Sequence, residues 1–252
     1  MEGSLEGTDR AVSPRSGGRT IAEVPADIET ALLERPNRFL GIADVAGVPQ
    51  RIHIPDPGRL SELLYPGARI LLKRAPRSRN RSTDWTLMAA GSPAGGWVLT
   101  NTFLHRRISK SLLSGPGKIF EGATDLRAEV AVGDSRLDFL LTEPKGVKRY
   151  VEVKGCTLVR HGVGLFPDAP TVRGRRHMEE LTGLVEDGYA ASVLFLLFGD
   201  TTLVGPNPAA DPDFCSAYWK AVNAGVTVHS RRIAYDGKRI LDLGPGGCLI
   251  RA

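Results

Sequence analysis

A chain of 252 residues, 42% hydrophobic and 24% charged, can bury enough apolar surface for two modest domains, and its net charge of +5 suits an anionic partner. No apolar run approaches the ~20 residues of a membrane span and the start lacks a secretory apolar segment, so no membrane association is expected. Cys156, Cys215 and Cys248 form no CxxC pair and have no histidine at ligand spacing, so neither a disulfide framework nor a zinc site is signalled and reduced thiols in the cytoplasm are expected.

Residues 1–20, rich in Gly and Ser with almost no apolar content, cannot offset their ordering entropy and are predicted to be a disordered extension. From Ile21 the texture changes. RFLGIADVAG, PQRIHIP, ARILLKR, WTLMAAG and GWVLTN are short β-rich runs separated by turn residues, which predicts a small β-barrel over residues 21–102. A short helix is expected in DPGRLSELLYPG, with Asp56 as N-cap, Pro57 at the first helical position and Pro66-Gly67 closing it. KRAPRSRNRSTDW carries Lys73, Arg74, Arg77, Arg79 and Arg81 before Trp85. Such a loop either tracks a sugar-phosphate backbone while the ring stacks on a base, or is a solvated surface.

Residues 103–252 mix strands with longer helices. Arg106, Arg107 and Lys110 make a second basic patch near the junction. LRAEVAV and SRLDFLL flank Gly133-Asp134, a hairpin turn with Gly first, and YVEVKGCTLV follows as a third strand. RGRRHMEELTGLVEDGY has Met178, Leu181, Leu184 and Val185 near helical spacing, and ASVLFLLFG reads as a fully buried strand. DPDFCSAYWKAVNAG is a second helix with Asp211 as cap and Gly225 at its end, before a last strand in VTVHSRRIAYDG. The pattern is a mixed α/β sheet.

The hairpin turn sets Glu129 opposite Asp138, and alternation puts Glu152 and Lys154 on one face of the third strand. Like charges ~5 Å apart repel, so a cation is expected among them. Three acids and a lysine are ingredients for Mg²⁺ or Mn²⁺ bound by Asp138, Glu152 and Glu129, with Lys154 positioning water at a phosphodiester. The same residues also serve as a solvated sheet edge. Arg173, Arg175, Arg176 and His177 cluster at a helix start, where exposed N–H groups favour phosphate; Asp168 is read as a turn former, with an outer metal ligand as the alternative. His53 and His105 are read as structural, and GPGGC lacks the following helix of a phosphate-cradling loop.

LRAEVAVGDSRLDF, YVEVKGCTLV and LFPDAPTVRGRRHMEEL, preceded in order by RFLGIADV, HIPDPGRLSELLYPG and Asn101-Thr102, resemble the sugar fermentation stimulation protein family from about Arg38 to Tyr235. The resemblance implies an oligonucleotide-binding barrel followed by a domain similar to the PD-(D/E)XK nucleases. Asp138, Glu152 and Lys154 fall at the D…ExK positions and Glu129 at the acid of the preceding strand. It also implies DNA binding largely without sequence preference and regulation of sugar-utilisation genes. The expectation is therefore a Mg²⁺-competent DNA-binding protein that acts as an endonuclease, with a non-catalytic DNA-binding regulator as the alternative and RNA behind DNA as ligand. No protein partner is implied, and a homodimer is compatible.

Overall fold

The computed structural model describes residues 17–76, 82–133 and 135–249. The expectations for residues 1–16 of the extension, for Arg77, Arg79 and Arg81, and for Asp134 lie outside the described residues.

Strand β1 (Arg19–Glu23) precedes a closed five-stranded barrel of β2 (Ile28–Asn37), β3 (Leu40–Val45), β4 (Val48–His53), β5 (Arg69–Arg74) and β6 (Trp85–Gly91). The pairs β2–β3, β3–β4, β2–β5 and β5–β6 are antiparallel, and the parallel pair β4–β6, with Ile52 beside Trp85, closes the ring. Closure removes the sheet edges that a five-stranded open sheet would leave unpaired. Leu32, Ala43, Ile52, Ile70, Leu72 and Leu87 fill the interior. Gly41 lets them meet, since a Cβ there would come within about 3.0 Å of Ile52.

The expected helix between β4 and β5 is replaced by turns. Asp56 Oδ1 accepts from the Gly58 amide at 2.7 Å, an Asx-type turn that competes with a helical start, and Leu60 takes a left-handed φ of +48° that no helix continues through. What survives is one turn, with the Leu63 and Leu64 amides bonding back to the Leu60 carbonyl. Its leucines plug the end of the barrel, all three being buried.

Strand β7 (Trp97–Leu99) leaves the barrel beside β6 and leads into α1 (His105–Ser114). Then come β8 (Thr124–Val132), β9 (Ser135–Thr142), β10 (Lys148–Cys156), β11 (Val159–Arg160), β12 (Val163–Phe166), α2 (Val172–Glu186), β13 (Ala190–Leu197), β14 (Leu203–Pro206), α3 (Pro212–Ala224), β15 (Thr227–Tyr235), β16 (Arg239–Pro245) and β17 (Gly247–Cys248). β8, β9 and β10 form an antiparallel meander, whereas β13 and β15 add in parallel through the crossovers α2 and α3. β11, β12, β14 and β17 make a separate small sheet.

β1 pairs with β16, so the strand that straddles the expected boundary at residue 20 joins the second domain's sheet, where Arg19 meets Asp242 at 3.3 Å. The hairpin keeps the expected register, Val132 opposite Ser135 and Val130 opposite Leu137, and Gly133 supplies the turn's positive φ of +53°.

The second sheet separates two cores. Val151, Leu194 and Leu196 face α1 and continue into the barrel's apolar cluster, while Val193, Phe195 and Leu197 face Met178 and Leu181 of α2 and Phe214 and Tyr218 of α3. Both helices are capped: Thr171 Oγ1 accepts from Gly174 at 3.0 Å, and Asp211 Oδ1 accepts from Phe214 at 2.9 Å. α2 is thereby fixed over the face of β10 that carries Glu152 and Lys154.

Candidate active site at the β9–β10 fork

The ladder between β9 and β10 runs from Lys148–Thr142 to Val151–Phe139 and stops. Beyond that point the Asp138 side chain takes over the missing partner, Oδ2 accepting from the Val153 amide at 2.8 Å. β10 stays in the sheet because its other edge pairs with β13 through Cys156. Glu152 and Lys154 therefore project together from a rigid strand beside a carboxylate lodged in the fork.

These charges are dry. The Glu152 side chain is 4% exposed, Lys154 11% and His177 of α2 2%. Lys154 Nζ donates to Glu152 Oε1 at 2.8 Å. Arg173 Nε donates to His177 Nε2 at 3.3 Å, which assigns the ring hydrogen to Nδ1, and Nδ1 donates to the same Glu152 oxygen. The 3.2 Å approach of Lys154 Nζ to Nδ1 is then two donors converging on one acceptor. Glu152 Oε2 is buried with no hydrogen-bond partner.

The two acids are driven apart electrostatically. Burial, followed by the charge of Glu152, pushes Asp138 up to about 6, against the pull of the Val153 amide, Lys154 and His177. Burial also raises Glu152, but Lys154 and His177 together outweigh it and hold that carboxyl below its ordinary range. One carboxylate stays ionised while its neighbour is uncomfortable without further positive charge.

Glu129 does not join them. It lies on the exposed face of the edge strand β8, where its half-exposed carboxylate meets Arg106 at 2.7 Å and Arg136 at 3.6 Å. Among the described residues no group of three or more His, Cys, Asp or Glu side chains is arranged to hold a metal ion. What the fork offers is two carboxylates with an uncommitted buried oxygen, a donor set that fits a hard divalent cation keeping water or phosphate in its other positions.

The basic residues expected to meet phosphate are dispersed. Lys73 donates to the Pro25 carbonyl at 2.7 Å, and Arg74 lies over Trp85, 5.7 Å from the ring centroid, so that ring is partly covered. Arg106 is committed to Glu129, and Arg107 is exposed. In α2, Arg175 lies 3.3 Å from Asp213 and Arg176 lies 3.9 Å from Glu180, while Arg173 serves His177. That last role went unseen in the sequence, although the i, i+4 spacing of Arg173 and His177 on one helix face was there to read.

Lys154 connects the fork to a cleft of about 350 Å³ between the domains, bounded by residues 56–58 and Leu60 of the barrel turn, 153–158 and 165–171. Asp168, expected to form a turn, reaches across it, accepting from the Arg59 amide at 3.0 Å. Arg35 braces the same turn, donating to the Gly58 carbonyl at 2.8 Å and to the Arg59 carbonyl. Asp56, raised to about 6 by burial and by the charge of Asp168, also lines the cleft. A larger cavity of about 770 Å³ lies against α3 and β15, and none of Asp138, Glu152, Lys154 or His177 lines it.

Two family models match the chain: the SfsA N-terminal OB domain over residues 33–100 and the sugar fermentation stimulation protein RE domain over residues 102–239. A sugar fermentation stimulation protein homolog of Methanococcoides burtonii is 41% identical over 232 residues, covering 89% of this chain and 93% of the relative. The homolog of Thermotoga neapolitana is 42% identical over 222 residues, covering 88% and 95%. The solved structure of Pyrococcus furiosus SfsA in complex with Ca²⁺ superposes with a TM-score of 0.81 at 28% identity, covering 92% of this chain and all of that one.

Proposed function

The chain belongs to the sugar fermentation stimulation protein family, and we propose that it binds DNA and hydrolyses phosphodiesters with a divalent cation, Mg²⁺ or Mn²⁺, held by Asp138 and Glu152. The observation that carries this reading is the buried, unpartnered Glu152 Oε2 beside a second carboxylate whose burial leaves it short of positive charge. The related Pyrococcus furiosus protein was solved in complex with Ca²⁺, an oxygen-seeking cation of the same hard class as Mg²⁺.

When bound, the ion would polarise a phosphoryl oxygen and lower the pKa of its water. The chain's own residues do the rest. Glu152 stays ionised because Lys154 and His177 share its Oε1. Lys154, at the cleft edge, orients the attacking water and offsets charge developing on phosphorus. Arg173 holds His177 in the tautomer that donates to Glu152. Glu129 pairs with Arg106 and Arg136 at the surface, apart from the chemistry. Exposed Arg107 and Lys110 add backbone attraction without sequence preference. The unlinked thiols Cys156, Cys215 and Cys248 support a cytoplasmic setting.

Plasmid incubated with the protein and Mg²⁺ should be nicked, and Asp138→Ala should abolish nicking. Inactive wild type, or equal cleavage by the variant, rejects hydrolysis. A second reading, a non-catalytic DNA-binding regulator of sugar-utilisation genes, is favoured by the fork having two carboxylates rather than three among the described residues. It requires affinity that falls about 10³-fold over a fourfold rise in salt if roughly six phosphates are engaged.

A further inference from the structure

Of the nine large apolar side chains that stay exposed among the described residues, three adjoin one cleft. Phe39 is 52% exposed, Phe103 66% and Val172 74%, and each directly follows a residue that lines the interdomain cleft or its connector: Arg38, Thr102 and Thr171. Phe103 is backed on one side by the His53 ring, 5.9 Å away and tilted by 24°. The Phe39 carbonyl accepts from the Ile54 amide, next to that histidine, and Thr102 Oγ1 donates to the Pro55 carbonyl at 2.8 Å. Rings from the barrel and from the connector are thus brought to one rim by the hydrogen bonds that dock the domains.

The rim is cationic. Arg38 and Arg59 are exposed at the barrel side, and Arg51 shares the outward face of β4 with His53 by strand alternation. The acids within, Asp56 and Asp168, face the Arg35 guanidinium, and Lys154 stands at the inner end. A space of about 350 Å³ takes one nucleotide-sized group and is too small for a duplex. Exposed aromatic faces beside cations suit bases that have left their stack, because every base has a π-face and only an unpaired one can present it.

We propose that this rim is a binding site for single-stranded DNA, with unpaired bases stacked on Phe39 and Phe103 and the backbone led past Arg38 toward Lys154. The inference rests on the DNA-binding reading above and narrows it to unpaired strands.

The test uses the full chain in EDTA, with a labelled oligonucleotide of about fifteen nucleotides, single-stranded or annealed, followed by anisotropy. Phe39→Ala and Phe103→Ala should each weaken single-strand binding roughly 5- to 150-fold and leave duplex affinity unchanged, while Phe103→Tyr binds like wild type. 2-Aminopurine within the single strand should lose fluorescence on binding wild type and keep it with Phe103→Ala. Both side chains are exposed, so unchanged melting temperatures confirm folding. Wild-type single-strand affinity in both alanine variants, or unquenched 2-aminopurine, overturns the site while leaving DNA binding intact. Tighter binding to RNA of the same sequence overturns the ligand class. Wild type that binds neither DNA form sinks the underlying reading instead.

Discussion

Glu129 and Glu152 approach Asp138 from the two strands that flank β9, one on the open edge of the sheet and one at the centre. At the edge the side chain is 51% exposed and shares its charge with Arg106 and Arg136 in water, an arrangement worth at most about 1 kcal/mol. At the centre the side chain is 4% exposed, and dehydrating such a carboxylate costs several kcal/mol unless cations are fixed against it. The Lys154 ammonium is so fixed, His177 adds a hydrogen bond to the same oxygen, and the other Glu152 oxygen still lacks a partner. Proximity in register is therefore insufficient to build a site; strand splay and burial decide which acid becomes chemically unusual.

The largest test of that contrast is Glu152→Ala. It leaves the Lys154 ammonium buried without its carboxylate and should cost about 3–5 kcal/mol in urea unfolding. A loss below about 1 kcal/mol would mean that water reaches the fork and that the centre resembles the edge. Next comes Asp138→Asn, which keeps an oxygen for the Val153 amide but removes the charge. Asp138 is raised from 3.8 to about 6, so the native state holds its proton more tightly than the unfolded chain. The Asp138 contribution to metal-free stability should fall as pH rises from about 4 to about 6, then level, and the two-unit shift bounds it near 3 kcal/mol. Asp56 adds a loss of the same sign, whereas His105, lowered to about 4 by burial, adds a gain over the same range, so the Asp138 contribution is read as the difference between the wild-type and Asp138→Asn curves. Unfolding curves across that pH range decide this.

Much of the contrast was written in the chain, and part was not. Hairpin register follows from Gly133-Asp134, and the caps Asp211 and Gly225 mark α3 at both ends. Barrel strands announce themselves except β2, whose Glu29, Glu34, Arg35 and Pro36 dilute the β-rich texture, since Leu32 is its one fully buried residue. α1 was missed because Arg106, Arg107 and Lys110 read as a basic patch, although Ile108, Leu112 and Leu113 repeat at helical spacing and are buried. The helix expected after Asp56 failed because local side-chain capping and a left-handed Leu60 outweighed a favourable N-cap sequence. Glu129 is drawn off by Arg106 of α1 and Arg136 of β9, partners that meet it only in the folded chain, so the third acid's departure could not be read. Nor could the convergence of Phe39 and Phe103, which depends on how the domains dock.

His177 joins the helical layer to the sheet, since α2 places it and the fork uses it. His177→Ala removes the donor to Glu152 and the acceptor of Arg173, and should lower single-turnover DNA cleavage about 10- to 100-fold with little change in DNA affinity. His177→Asn, which can still donate to Glu152, should recover part of the rate. Equal loss in both variants would assign His177 to packing alone.

The smallest expected effect is the most discriminating. Glu129→Gln should change stability by less than about 1 kcal/mol, with that difference shrinking as salt screens Arg106 and Arg136, and should leave cleavage untouched. If Glu129 instead ligated the cation, its loss would match that of Asp138→Ala in cleavage, and its carboxylate would have to leave Arg106 and Arg136. Cleavage of plasmid by Glu129→Gln at low and high salt separates these cases. An unaffected rate places the acid outside the chemistry, whereas a collapse would show that the edge and the centre act as one site when DNA and metal are bound.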